Sequence, residues 1–404
     1  MRKLSQNSIE LFTIYKILRS GQMVNLPDTF DKYEETKKEG FLKIKELKEQ
    51  GANIVGMFCT YSPLELIYAA DAVPVSLCGG ENEVIQAAEV HLPKNLCPII
   101  KSSYGNALTE SCPYFYFSDL IVGETTCDGK KKMYELLGEL KDVHTMHLPQ
   151  GQMKKYSFDY WKEEMIEFKK VLEKKFNVEI TDDKLRQAIR ERNREREILL
   201  DFYELGKLDP VPISGYDINT TMDAEEFRFD RHKAYDEIEE RTKELKEKYE
   251  KELKGKKSNR PRILITGCPI GDIRDKIIKQ IEDLGADVVC FESCSGPKEK
   301  IELVDETIDP IDAITKKYLN INCSVMTPNP NRIKALGEMI DEYKVDGVVE
   351  VILQACHTFN IESYNVKRYV KDVKNKPYIC IETDYSKSDM GQLNTRFNAF
   401  IEIL

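Results

Sequence analysis

Short apolar runs alternate with helical patterns along this chain, and a cysteine stands at or just past the end of several of those runs. No other feature constrains the fold as much. Strands that alternate with helices pair into parallel sheets with right-handed crossovers. The first run, Ala52-Asn53-Ile54-Val55-Gly56-Met57-Phe58, is predicted as a buried strand with Cys59 at its carboxyl end. Ser62-Pro63-Leu64-Glu65 follows as a predicted helix start, with Ser62 as N-cap, Pro63 in the first turn and Glu65 closing a capping box. Further strands are predicted over 73–77, 118–123 and 143–148, with a loop reaching Cys97-Pro98 and a helix over 131–140 after Cys127.

A second set of strands is predicted over 262–266, 286–291, 345–353 and 377–381, each followed by a turn and a helical pattern. Between the two sets, residues 153–252 are helical in pattern and rich in Lys, Glu and Arg, with one break at Asp209-Pro210-Val211-Pro212. Upstream, 8–20 has helical periodicity before a break at Pro27-Asp28, and 37–50 is a charged helix ending at Gly51. The expected fold class is α/β: two Rossmann-like parallel-sheet domains over 51–150 and 259–404, a helical connector over 151–258 and an N-terminal helical arm over 1–50. A chain of 404 residues suits two cores better than one.

Composition narrows the chemistry. Hydrophobic residues make up 41% and charged residues 32%, ordinary for a water-soluble globular protein. No apolar run approaches the roughly 18 residues of a membrane span, and the first residues lack the apolar core of a signal peptide, so a cytoplasmic protein is expected. A net charge of -10 disfavours a generic nucleic-acid binder. Eleven cysteines, an odd number, point to reduced thiols rather than a disulfide framework, with some of them bound to metal. Five histidines, with no C-x-x-C pair and no H-E-x-x-H, disfavour a zinc ribbon or metalloprotease. Neither G-x-x-x-x-G-K-[ST] nor a well-placed G-x-G-x-x-G is present, so no nucleotide is expected to bind through those devices.

In parallel sheets ligands bind outside the carboxyl ends of the strands, where Cys59, Cys127, Cys268, Cys294 and Cys356 fall. Cys127 lies in Thr125-Thr126-Cys127-Asp128-Gly129-Lys130-Lys131-Lys132, where the glycine permits a tight turn and a helix N-terminus with lysines stabilises a thiolate or an anionic cluster. Cys59 has the same setting, and Cys356, in Gln354-Ala355-Cys356-His357, ends the most apolar strand of the second set. Cys97, Cys294 and Cys323 lie in loops whose pattern leaves metal ligation and a plain loop role both open. Cys268, in Thr266-Gly267-Cys268-Pro269, either cradles a ligand or turns the chain, and Cys78, Cys112, Cys290 and Cys380 are read as core or structural thiols. Soft thiolates without histidine or carboxylate clusters favour iron–sulfur chemistry, with four-thiolate zinc as the competitor. Zinc ligands usually come in close pairs, whereas these cysteines are spaced by whole strand–helix units. His357 is read as a helix-start residue, with a bond to a cluster sulfur as the alternative, and Asp384, Ser386 and Ser388 as caps.

The stretches Phe58-Cys59-Thr60-Tyr61-Ser62-Pro63-Leu64-Glu65, Leu92-Pro93-Lys94-Asn95-Leu96-Cys97-Pro98, Val122-Gly123-Glu124 through Lys132, Ile265-Thr266-Gly267-Cys268-Pro269 and Ile352-Leu353-Gln354-Ala355-Cys356-His357 give the sequence its resemblance to a family. It resembles the 2-hydroxyacyl-CoA dehydratase and benzoyl-CoA reductase subunits, and among them the double-cubane cluster proteins. In the dehydratase subunits three cysteines hold a 4Fe-4S cluster, and Cys59, Cys127 and Cys356 match those. The double-cubane (8Fe-9S) proteins use six, which adds Cys97, Cys294 and Cys323, with Cys268 in reserve. The resemblance further implies a homodimer, a small-molecule substrate and a separate ATP-hydrolysing activator that carries its own 4Fe-4S cluster and donates low-potential electrons. The function it implies is an iron–sulfur reductase component. The alternatives are a dehydratase subunit with a single 4Fe-4S cluster, a lyase, and an electron-storage protein with no substrate of its own. It assigns no proton donor. Lys130, Lys131 and Lys132 would offset the charge of a cluster if they face it, and otherwise form a solvated helix face.

Overall fold

The computed structural model describes residues 24–404 apart from position 33, and the helix expected over 8–20 lies outside the described residues. The first half of the chain runs α1 (Glu35–Glu49), β1 (Asn53–Met57), α2 (Leu64–Ala69), β2 (Ala72–Ser76), α3 (Ile85–Ala88), α4 (Pro98–Leu108), α5 (Pro113–Phe117), β3 (Leu120–Glu124), α6 (Asp128–Leu137) and β4 (Val143–Met146). Its four strands form one sheet in the order β2-β1-β3-β4, every pair parallel. Four helices follow, three of them long: α7 (Ser157–Phe176), α8 (Asp182–Tyr203), the shorter α9 (Gly215–Asp223) and α10 (Arg231–Lys248). The second half runs β5 (Arg262–Gly267), α11 (Gln280–Asp283), β6 (Asp287–Glu292), α12 (Pro310–Leu319), α13 (Pro330–Glu342), β7 (Gly347–Leu353), α14 (His357–Arg368), β8 (Tyr378–Thr383) and α15 (Met390–Ile401). Its sheet has the order β6-β5-β7-β8, again all parallel.

The two sheets therefore share one Rossmann-like topology. In each, the chain reverses direction across the sheet between the first and third strands, β1 and β3 in one and β5 and β7 in the other. Such switch points open a crevice at the carboxyl edge. The continuous apolar runs predicted as strands become the central ones, and β3, β5 and β7 are buried at every position, as parallel strands covered on both faces must be.

The halves are knitted by a crossing segment. Val304, Ile314, Tyr318, Ile321 and Met326, from the second half, bury against Val55 and Val122 of the first sheet and Trp161 and Met165 of α7. Burying each large side chain of this kind contributes roughly 1.5–3 kcal/mol. The crossing brings the loop that holds Cys323 over the first sheet.

Local rules misjudge two places. The stretch read as a loop before Cys97-Pro98 contains the short helix α3, and α4 and α5 fill the space from there to β3. At α2, Pro63 rather than Ser62 occupies the N-cap position, and no side chain caps the helix. Ser62 Oγ instead donates to Glu124, and the carboxylate of Glu65, wholly buried, takes Arg196 Nη2 at 2.6 Å and Tyr318 Oη at 2.9 Å. A buried carboxylate gains more from a guanidinium than from a helix N–H, so the tertiary partner wins. Among the described residues no helix is long and apolar enough to cross a membrane.

Candidate metal centre

Three of the six predicted ligands are N-cap residues. Cys97 precedes α4, Cys127 precedes α6 and Cys356 precedes α14, so each sulfur lies at the positive end of a helix dipole. Ala355, at φ +58°, turns the chain sharply into Cys356. None of the three sulfurs makes a regular capping hydrogen bond, but the helix amides act on them electrostatically. Burial raises the Cys127 thiol, while the N–H groups of Lys130 and Gly129 and the Lys130 ammonium pull it down. Hydrogen bonds from Cys268 and then Cys97 hold Cys356 as a thiolate at about 3, with Thr358 Oγ1 at 3.9 Å. The Cys97 thiol is correspondingly raised, chiefly by that bond to Cys356, and it also feels Cys127. Cys97, Cys127 and Cys356 are thus one neighbouring set, with Cys268 buried beneath it and accepting the Leu353 N–H at 3.3 Å.

Cys59, Cys294 and Cys323 are the other. Burial is the largest influence on Cys59 and raises it; Lys130 opposes this, and Glu124, Cys294 and Cys323 add to the rise. Burial pushes Cys294 up to about 11 against Lys298, and Cys323 is again among its neighbours. Lys298 Nζ is held at 2.8 Å from Glu292 at the end of β6. Loop-to-loop bonds fix this set. Tyr61 Oη donates to the Ile321 carbonyl at 2.7 Å, Asn329 Nδ2 to the Cys323 carbonyl at 2.9 Å, and Ser324 Oγ bonds Thr358 Oγ1 at 3.1 Å, tying the Cys323 loop to the start of α14.

The three lysines after Gly129 divide by helical periodicity. Lys130 turns inward, donates to the Phe58 carbonyl and lies 3.9 Å from Cys78 Sγ. Cys78, Cys59 and Cys127 all act on its ammonium, so it stands between the two sets. Lys131 and Lys132 face water, paired with Asp128 at 2.8 Å and Glu135 at 2.6 Å.

Cys78 corrects the sequence reading. It is exposed just past β2, donates to the Phe58 carbonyl at 3.1 Å and acts on Cys294, so it borders the centre instead of filling a core. The short β2 ends at Ser76, Leu77 still packs into the core, and Cys78 after it is exposed. Cys290 is fully buried in β6, and Cys112 accepts the Phe115 N–H at 3.5 Å at the start of α5, both as structural thiols. Cys380 lies on the edge strand β8. His357 is exposed at the first position of α14. Asp384 accepts the Ser386 N–H at 2.8 Å and Ser386 bonds Ser388 at 2.8 Å within one turn, while the position before α15 is taken by Asp389.

Sequence reasoning missed the buried charges behind the loops. Arg196 binds Glu65 and, at 2.7 Å, Glu299, while Arg192 binds Glu299 at 2.9 Å and Glu225. Arg332, wholly buried, binds Glu292 at 2.9 Å, Glu362 at 2.6 Å and Thr266 Oγ1 at 3.0 Å, linking β5, β6 and α14 behind the sulfurs. A signal existed for two of these: Arg192 and Arg196 continue the buried stripe of Leu185, Ile189, Leu199 and Tyr203 along α8.

The donor set fits an anionic iron–sulfur centre. Its six thiols have three helix N-termini, Lys130 and Lys298 turned toward them, which is the compensation a thiolate-bound cluster requires. Among the described residues no three His, Cys, Asp or Glu side chains form a group able to hold a single ion.

Fold and site define a class: two parallel-sheet lobes of one topology whose strand-end cysteines face one another. Comparison with known proteins makes it specific. The family model described as 2-hydroxyglutaryl-CoA dehydratase, D-component, matches residues 59–404. The chain is 50% identical over 383 residues to YjiM of Escherichia coli (strain K12), provisionally named a dehydratase subunit, covering 95% of this chain and 99% of that one. It is 26% identical to the (R)-phenyllactyl-CoA dehydratase beta subunit of Clostridium sporogenes, over 89% of this chain and 94% of the relative. It is 23% identical to a benzoyl-CoA reductase subunit of Thauera aromatica, over 86% and 90%. The chain belongs to the 2-hydroxyglutaryl-CoA dehydratase D-component family.

Proposed function

We propose that this chain is the iron–sulfur reductase component of a two-protein system and works as a cytoplasmic homodimer. It receives low-potential electrons from a separate ATP-hydrolysing activator with its own 4Fe-4S cluster and reduces a small molecule. Cys59, Cys97, Cys127, Cys294, Cys323 and Cys356 would hold a double-cubane 8Fe-9S centre. The observation that carries this reading is the division of the six sulfurs into two neighbouring sets of three, each drawn from both halves of the chain. A single cluster on Cys59, Cys127 and Cys356 would straddle the two sets and leave Cys97, Cys294 and Cys323 without a ligand role.

When bound, such a centre supplies one-electron transfer at low potential. The protein's own part is to fix charge and access. The N-termini of α4, α6 and α14 balance negative charge on one side, Lys130 and Lys298 on the other. The exposed rim at Cys78 leaves an approach for a small substrate. The lack of a Walker-type motif in the sequence agrees with ATP hydrolysis on a partner.

The names of the relatives favour a second reading, a 2-hydroxyacyl-CoA dehydratase subunit, for which the family resemblance implies one 4Fe-4S cluster. Cys97→Ser separates the two. Partial loss of iron and sulfide with the fold intact supports the double cubane, and full retention supports the single cluster. Turnover that requires the activator and ATP, with a small oxidant and no acyl-CoA, supports the reductase. No turnover with any oxidant would leave an electron-storage protein.

A further inference from the structure

Glu124, the last residue of β3, is wholly buried and belongs to no ion pair among the described residues. Ser62 Oγ donates to Oε1, while Oε2, equally enclosed, has no hydrogen-bond partner. The loop from β1 to α2 presents Cys59 and Ser62 to it, α6 presents Lys130 and Tyr134, and β4 sets the uncharged Met146 beside it. Tyr134 Oη is likewise without a partner. Leaving a carboxylate oxygen bare in such a place is costly, and a chain under no demand for an acid there would fill it with an amide or an apolar side chain.

We propose that Glu124 is a proton-holding residue coupled to electron entry at the neighbouring thiol site, taking up one proton from water as an electron arrives and giving it up when the electron leaves. This rests on the redox function proposed above. The electron comes from the activator and passes on to the substrate, while the proton comes from solvent and returns to it, so the carboxyl ends each cycle as it began and only compensates charge. Added negative charge nearby strengthens the carboxyl's hold on its proton, and by reciprocity a bound proton eases the arrival of the electron. Glu124 is suited to this near neutral pH, because burial pushes it up to about 7 against the Ser62 bond and Lys130. It acts through the site's charge and is a positioning residue, not a ligand.

The test is a redox titration of the anaerobically purified native protein, Glu124→Gln and Ser62→Ala between about pH 6 and 8.5, with iron and sulfide counted on the same samples. Native protein should show a potential that falls as pH rises, and a carboxylic C=O band in the reduced-minus-oxidised infrared spectrum. Glu124→Gln should lose both. Ser62→Ala should move the pH dependence upward, because the hydroxyl favours the ionised carboxylate. An unchanged pH slope and band in Glu124→Gln overturns the proposal. Should that variant not assemble, an unmoved pH dependence in Ser62→Ala does the same. Native protein without iron and sulfide would sink the redox reading itself, and this inference with it.

Discussion

Lys130, Lys131 and Lys132 are adjacent and chemically alike, yet their surroundings part them. The first donates to a backbone carbonyl beside two cysteines, and the others make exposed pairs within their own helix. Exposed pairs of that kind are worth little. Lys130→Met, which leaves the Phe58 carbonyl to the weaker Cys78 donor and withdraws a cation from the sulfurs, should lower stability by about 1–3 kcal/mol in urea unfolding. Lys131→Ala and Lys132→Ala should each stay within about 0.5 kcal/mol. The sequence named the motif around Cys127 but left open which lysine turns inward. That depends on where α6 begins, and it begins three residues before the helix read from the pattern. Cys78 is misread for a related reason: β2 ends one residue before the run read from the pattern, which places Cys78 two residues past the strand, at the rim.

At the scale of elements, the loops bearing cysteines are held by buried charge. Arg196 joins α2 to the segment after β6, so Arg196→Met would leave Glu65 buried without its guanidinium and Glu299 with Arg192 and Lys317. The expected cost is about 3–5 kcal/mol in denaturant unfolding, against a near-neutral change for an exposed arginine such as Arg194. The network also sets an acid limit. Burial alone would raise Glu225, but Arg192 and Lys300 outweigh it and hold the carboxyl at about 2. A depressed carboxylate contributes stability above its unfolded value and loses it as pH falls toward its folded one. Stability should therefore decline between about pH 4.5 and pH 2, and Glu225→Gln should flatten that part of the profile, as pH-dependent urea midpoints would reveal. Beyond the buried stripe that carries Arg192 and Arg196, local rules made none of these pairings legible. Ser62 and Glu65 have capping-box spacing, and only their distant partners, Glu124 and Arg196, divert them.

Over the whole molecule, the two sheets repeat one strand order and set cysteines at both switch points. The strands were legible because parallel strands buried on both faces need unbroken apolar runs. The strand-end position of the cysteines was legible for the same reason. What no local pattern could give is the grouping of sulfurs, since it depends on the segment from Val304 to Met326 crossing to the first sheet and bringing Cys323 near Cys59. The most direct measurement is iron, zinc and acid-labile sulfide per chain after anaerobic purification. About eight irons with matching sulfide are expected from two cubanes held by these two sets of three. Zinc with no sulfide would contradict it.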